Sequence, residues 1–147
     1  MLNFALILVT LVLCSCARFS ARDPAAQFVS TYKLAFDSAD TNALLALVKW
    51  DGMPDDLRAG MVWKLTSNLG VQRVSLTELL PFDNGATIPP NKDGRKLIAN
   101  LPPKFWLHVI TESISPASYE HTFTSKQFLM GVEDSKYYIC GFRFAEP

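Results

Sequence analysis

The alternation of apolar and polar residues changes character twice along this chain. From Phe4 to Leu13 the side chains are apolar except for Thr10, and no charged side chain occurs before Arg18. After a mixed stretch, "ARFSARDPAA", a helical period takes over. Asp23-Pro24 combines a capping carboxylate with a proline at the first helical position, where no amide donor is missed. Phe28, Tyr32, Ala35 and Phe36 then recur at helical spacing and make one apolar stripe. The segment Asp37 to Asp40 breaks the stripe. Asp40 is placed to cap a second helix carrying Leu44, Leu45, Leu47 and Val48 and ending near Trp50-Asp51-Gly52. Pro54, Asp55 and Asp56 open a third, with acid in its first turn where the helix dipole favours it. Its stripe is Leu57, Met61, Val62 and Leu65, and Gly70 is suited to terminate it.

Beyond Gly70 the period drops to two. In "VQRVSLTELL" Val74 and Leu76 alternate against Arg73, Ser75 and Thr77, the pattern of a half-buried strand. Pro81 to Pro103 is turn-rich, with Asn84-Gly85, Pro89-Pro90, Asp93-Gly94 and Pro102-Pro103. A loop of about 20 residues is long for a compact domain, so a short strand is expected inside it, around Arg95 to Ala99. "KFWLHVITES" reads as a strand with Phe105, Leu107 and Val109 on one face and Trp106, His108 and Ile110 on the other. "SKQFLMGVEDSKYYICGFRF" reads as a hairpin around the polar turn Glu133-Asp134-Ser135-Lys136. Helices followed by an antiparallel meander predict an α+β fold. The expected architecture is two or three N-terminal helices packed on a curved, mostly antiparallel sheet of four to six strands, in one domain over residues 23–147.

Two resemblances add to this. The element order, the Phe28-x-x-x-Tyr32 spacing and the hairpin are similar to those of the NTF2-like superfamily, a cystatin-like α+β cone. In the hairpin, Asp134, Lys136, Tyr137, Tyr138 and Ile139 match a D-G-K-W/Y-Y-I pattern, and Ser135 stands where Gly is usual. The superfamily includes both enzymes and non-catalytic binding modules. The N-terminus resembles a bacterial lipoprotein signal: Leu13, Cys14, Ser15 and Cys16 fill the positions of a leucine, two small residues and the lipidated cysteine. That resemblance implies a signal peptide over 1–15, acylation of Cys16, a tether over 16–22 and a lipid-anchored domain in the bacterial cell envelope. Two or three acyl chains hold a protein on a membrane where one is marginal.

Read from its residues alone, the apolar run fits a signal-peptide core and is shorter than the roughly 20 residues a bilayer span requires. Ordinary secretion with cleavage after Ala17 and an uncleaved anchor or core helix stay open, and the segment before the run has no Lys or Arg. A redox role for Cys14 and Cys16 requires a folded, electropositive setting that a greasy terminus does not supply. Cys140, in an apolar strand pattern, is expected to be a buried free thiol, with no disulfide in the protein.

Composition narrows the function. The 147 residues include 14 Lys plus Arg against 14 Asp plus Glu, a formal charge of zero. A neutral chain lacks the basic surface that supplies most non-specific nucleic-acid affinity, and no nucleic-acid partner is expected. No nucleophile-elbow, phosphate-loop, dinucleotide or zinc-protease motif occurs. His108 and Glu112 are about 13 Å apart along a strand, too far to share an ion, and no metal or cofactor is expected. Asp40 and Asp55 are explained as helix-start residues. "NKDGRK" lacks the strand–loop–helix setting of a phosphate cradle. A pocket enclosed by the sheet remains, for which Tyr32, Trp63, Trp106 and His108 are the candidate lining residues. The expectation is a non-catalytic module binding a small ligand or protein partner, with homodimerisation through the open sheet face as a further possibility. The alternative is an isomerase- or dehydratase-type enzyme using the pocket. For that chemistry no acidic residue matches the base of the ketosteroid isomerases, which the fold resembles.

Overall fold

The computed structural model describes residues 23–83 and 86–146. The expected signal segment, the tether with Cys16 and the Asn84-Gly85 turn lie outside the described residues. The fold is α+β, and the described residues form three helices, a four-stranded antiparallel sheet and a separate two-stranded one.

The helices are α1 (Pro24–Asp37), α2 (Thr41–Leu45) and α3 (Asp55–Thr66). Local chemistry starts each of them. Asp23 Oδ1 accepts from the Ala25 N–H at 3.1 Å, and Asp40 Oδ1 from the Ala43 N–H at 2.9 Å. Asp55 and Asp56 occupy the first turn of α3, and beyond its end Asn68 and Gly70 turn the chain with φ of 69° and 76°. The second helix is shorter than its apolar spacing predicts, because the chain after Leu45 is taken up by the sheet. Val48 forms a parallel bridge to Ile139. The Ile139 N–H donates to Leu47 O at 2.8 Å and the Lys49 N–H to Ile139 O at 2.9 Å. Pairing the outermost strand satisfies an edge that another turn of helix would have left bare.

The strands are β1 (Arg73–Pro81), β2 (Leu97–Ala99), β3 (Pro103–Ile114), β4 (His121–Glu133), β5 (Lys136–Ile139) and β6 (Phe142–Phe144). The main sheet has the order β1-β3-β4-β5, all antiparallel. The strand expected near Arg95–Ala99 forms as β2 and pairs with β6. The hairpin turns at the expected four residues, Glu133 to Lys136. Glu133 and Lys136 pair directly, leaving Asp134 and Ser135 as a two-residue loop with φ of 48° and 63°. Positive φ at both positions is the signature of a type I′ turn, whose twist matches that of the strands.

One residue of β1 departs from simple alternation. Val74 pairs with Thr111 and Leu76 with Ile110, so Ser75 is an extra residue in a bulge. The bulge reverses the phase of everything after it. Leu76, which shares a face with Val74 by spacing, therefore points away from the helices and is 41% exposed.

The helices cover one face of the sheet. Phe28, Tyr32, Phe36, Leu44, Met61 and Leu65 pack against Val74, Leu107, Val109, Phe128, Met130 and Ile139 in the main core. Part of the opposite face carries a second, smaller cluster. There the segment between β1 and β3 folds back, and Phe82, Ile88 and Leu101 meet Trp106, Leu129 and Cys140. The long loop is thus a cover for the sheet. Gly131 and Gly141 sit where it approaches closely: a Cβ at Gly131 would fall 2.7 Å from Leu101 Cβ, and one at Gly141 would fall 2.7 Å from Asn100 Nδ2.

Candidate functional site

The space between helices and sheet is the natural place for a pocket in such a fold, and aromatic side chains occupy it. Tyr32 stacks on Phe36 with centroids 6.2 Å apart and lies tilted against Phe128 at 6.0 Å. All three are buried, and the Tyr32 hydroxyl has no hydrogen-bond partner among the described residues. Burial raises the pKa of that phenol, so it stays neutral. Toward one end, Thr111 Oγ1 donates to Gln72 Oε1 at 2.6 Å and Gln72 Nε2 donates to Thr124 Oγ1 at 3.1 Å. This ladder pairs the buried side chains of Gln72 and Thr111 with each other and with Thr124.

The four candidate lining residues do not converge. Tyr32 is in the main core. Trp106 and His108 alternate with the inward Leu107 and so face the other side of the sheet. Trp106 packs on Phe82 at 5.8 Å beneath the folded-back loop. His108 Nε2 lies 2.9 Å from Ser125 Oγ, and Nδ1 lies 3.7 Å from Glu78 Oε2. His121 makes a close contact with Glu112 further along the same β3–β4 pair. No group of three His, Cys, Asp or Glu side chains among the described residues is arranged to hold a metal ion.

Trp63 is the fourth, and it marks an open site. It is 72% exposed on α3 and borders a cleft of about 680 Å³ between that helix and β4. Two lysines lie in the cleft. Lys64 Nζ donates to Gln127 O at 2.5 Å and stands 5.0 Å from the centre of the Phe128 ring. Lys126 is only 7% exposed; its Nζ donates to Ser67 O at 2.7 Å and stands 5.4 Å from the Phe36 ring centre. Among the described residues neither ammonium forms an ion pair. Burial lowers the pKa of both lysines, and for Lys126 the charge of Lys64 lowers it further. One signal of this arrangement was legible beforehand: Lys126 is in phase with the inward Phe128 and Met130, so strand alternation alone turns it inward. Nothing in the chain ahead of the fold linked it to Lys64, more than sixty residues away.

The cleft continues past Gly60 into a second of about 520 Å³, bordered by Leu57, Lys64 and the loop Asn91-Lys92-Asp93. A Cβ at Gly60 would meet nothing within 4 Å. The exposed flank of α3 is therefore a groove with its narrowest side chain at the midpoint.

No protein-family model and no curated protein matches the chain. Among solved structures it is similar to the helical cell shape determining protein Pgp2 from Campylobacter jejuni, at 16% identity and a TM-score of 0.43. That likeness covers 79% of this chain and 38% of the other, so the chain spans well under half the length of that protein.

Proposed function

We propose that this chain is an exported, lipid-anchored, non-catalytic binding module of NTF2-like architecture, holding a small ligand or protein partner at the bacterial cell envelope. The observation that carries the binding reading is the filled interior. Tyr32, Phe36 and Phe128 occupy the space where a cone-shaped fold would enclose a substrate, while the open concavities lie outside, along α1 and α3. The architecture is supported by helices that precede an antiparallel meander and by the Asp134–Ile139 hairpin. The location is supported by the Leu13-Cys14-Ser15-Cys16 pattern after an uncharged apolar run. No helix among the described residues is long and apolar enough to cross a membrane. On this reading acyl chains on Cys16 provide the attachment.

The isomerase-type alternative needs a proton acceptor inside the fold, and among the described residues the buried polar side chains of the helix–sheet core are Tyr32, Gln72, Thr111 and Lys126. Expression of the full chain in a bacterium tests the proposal. The mature protein should begin at Cys16, carry the mass of its acyl chains and sediment with membranes. Cys16→Ser should release it to the soluble fraction. An unmodified chain beginning at Arg18 would defeat the anchor.

A further inference from the structure

We infer that the groove beside α3 is a binding site for a soluble, ring-bearing oxyanion, with Lys64 and Lys126 receiving the phosphate or carboxylate and Trp63 stacking on the ring. The inference rests on the reading of the domain as a binding module and is independent of its anchor.

Three independent features point the same way. The first is uncompensated charge. An ammonium has three donors, and Lys64 and Lys126 each use one, on the main-chain carbonyls of Gln127 and Ser67. Lys64 opens to solvent, whereas Lys126 is nearly enclosed, and an enclosed cation is ordinarily paired. The C-terminal end of α3 offers about half a negative charge, which leaves two ammoniums well short of neutrality. An oxyanion entering the cleft supplies both the missing charge and acceptors for the unused donors.

The second feature is the indole. Trp63 is on the solvent side of a helix whose Met61 and Leu65 already fill the core, so its exposure contributes nothing to packing. An accessible flat aromatic face beside a cationic pair suits a ligand in which a ring is joined to the anion.

The third is Gly60. Glycine inside a helix destabilises it by about 1 kcal/mol relative to alanine, and here there is room for a side chain. Its backbone is not in the positive-φ region that would require glycine. What a side chain there would do is narrow the groove between its two ends.

The test is a titration of the full chain carrying Cys16→Ser with phenyl phosphate, followed by amide and indole NMR shifts, with inorganic phosphate and phenol as separate arms. Saturable shifts are expected at the Trp63 indole and at Ser125 to Gln127, with phenyl phosphate binding more tightly than either fragment. Lys64→Met and Lys126→Met should each weaken binding by about tenfold or more, the scale of a lost hydrogen bond to a charged group. Gly60→Phe should weaken it to a similar degree while both lysines remain. No saturable shift, or shifts that persist in the double lysine variant, would overturn the site. Inorganic phosphate binding as tightly as phenyl phosphate would overturn the role of Trp63. If a lysine variant fails to fold, Gly60→Phe decides, since a Cβ at that position meets nothing within 4 Å. Release of phenol during the titration would overturn the non-catalytic reading and leave the anion site standing; absence of binding would remove the site and leave the module.

Discussion

Ser135 shows how much a single residue carries when the backbone needs an unusual conformation. At φ 63° its Cβ is in the left-handed region, which is unfavourable for any residue but glycine. Ser135→Gly should therefore stabilise the protein, by about 0.5–1 kcal/mol after allowing for glycine's extra freedom in the unfolded chain. Urea denaturation measures this directly, and a variant less stable than the parent would mean that the Ser135 side chain contributes more than its strain. The turn was legible because it is built from neighbours in sequence. Trp106 and His108 were legible in part. Their shared face was correct, but which face turns to the helices depends on Leu107, Val109 and the partners they meet, and spacing alone does not name it.

At the scale of elements, the join between α1 and β1 is the most specific. Asp37 Oδ1 accepts from the Val74 N–H at 2.8 Å, and Lys33 Nζ bridges Asp37 Oδ2 at 2.7 Å and Val74 O at 2.8 Å. Burial alone would raise the Asp37 pKa, but the hydrogen bonds from Lys33 and Val74, with the charges of Lys33 and Arg73, outweigh it, and the net shift is downward. A carboxylate held lower in the folded state than in the unfolded one stabilises above its unfolded value, near 3.9. That contribution falls away as the pH drops through the lower, folded value. Asp37→Asn should remove about 1 kcal/mol at neutral pH, a figure kept small because the clamp borders solvent. It should also flatten the acid limb of a stability–pH curve. An unchanged acid limb would show that other carboxylates govern it. The starts of α1 and α2 were readable here because each cap and its amide lie two or three residues apart. The end of α2 was not, because its cause is Ile139, more than ninety residues later.

For the whole molecule, the two clusters on opposite faces of the sheet set what is protected. Cys140 is buried in the smaller one, and its burial pushes the thiol pKa up to about 12 against a weak opposing contact with Leu101 O. Such a thiol is almost entirely unreactive at neutral pH. Alkylation followed by mass spectrometry of the Cys140 peptide should find it protected until the fold as a whole melts. Labelling well below that midpoint would mean the 82–102 cover opens by itself. That cover explains why the turn-rich segment looked like an overlong loop: its structure consists of contacts to a sheet made from the rest of the chain. The α3 cleft was hidden for the same reason, since it joins residues 60–68 to 124–127 and exists only once β4 is in register.

The bulge at Ser75 bears on how relatives of this chain should be recognised. Removing Ser75 would leave Val74 opposite Thr111 and Leu76 opposite Ile110, with every inward residue still inward. The sheet therefore holds one surplus residue that it can gain or lose without changing which side chains it buries. A one-residue gap here in an alignment marks a shared architecture, and penalising it would push true relatives apart.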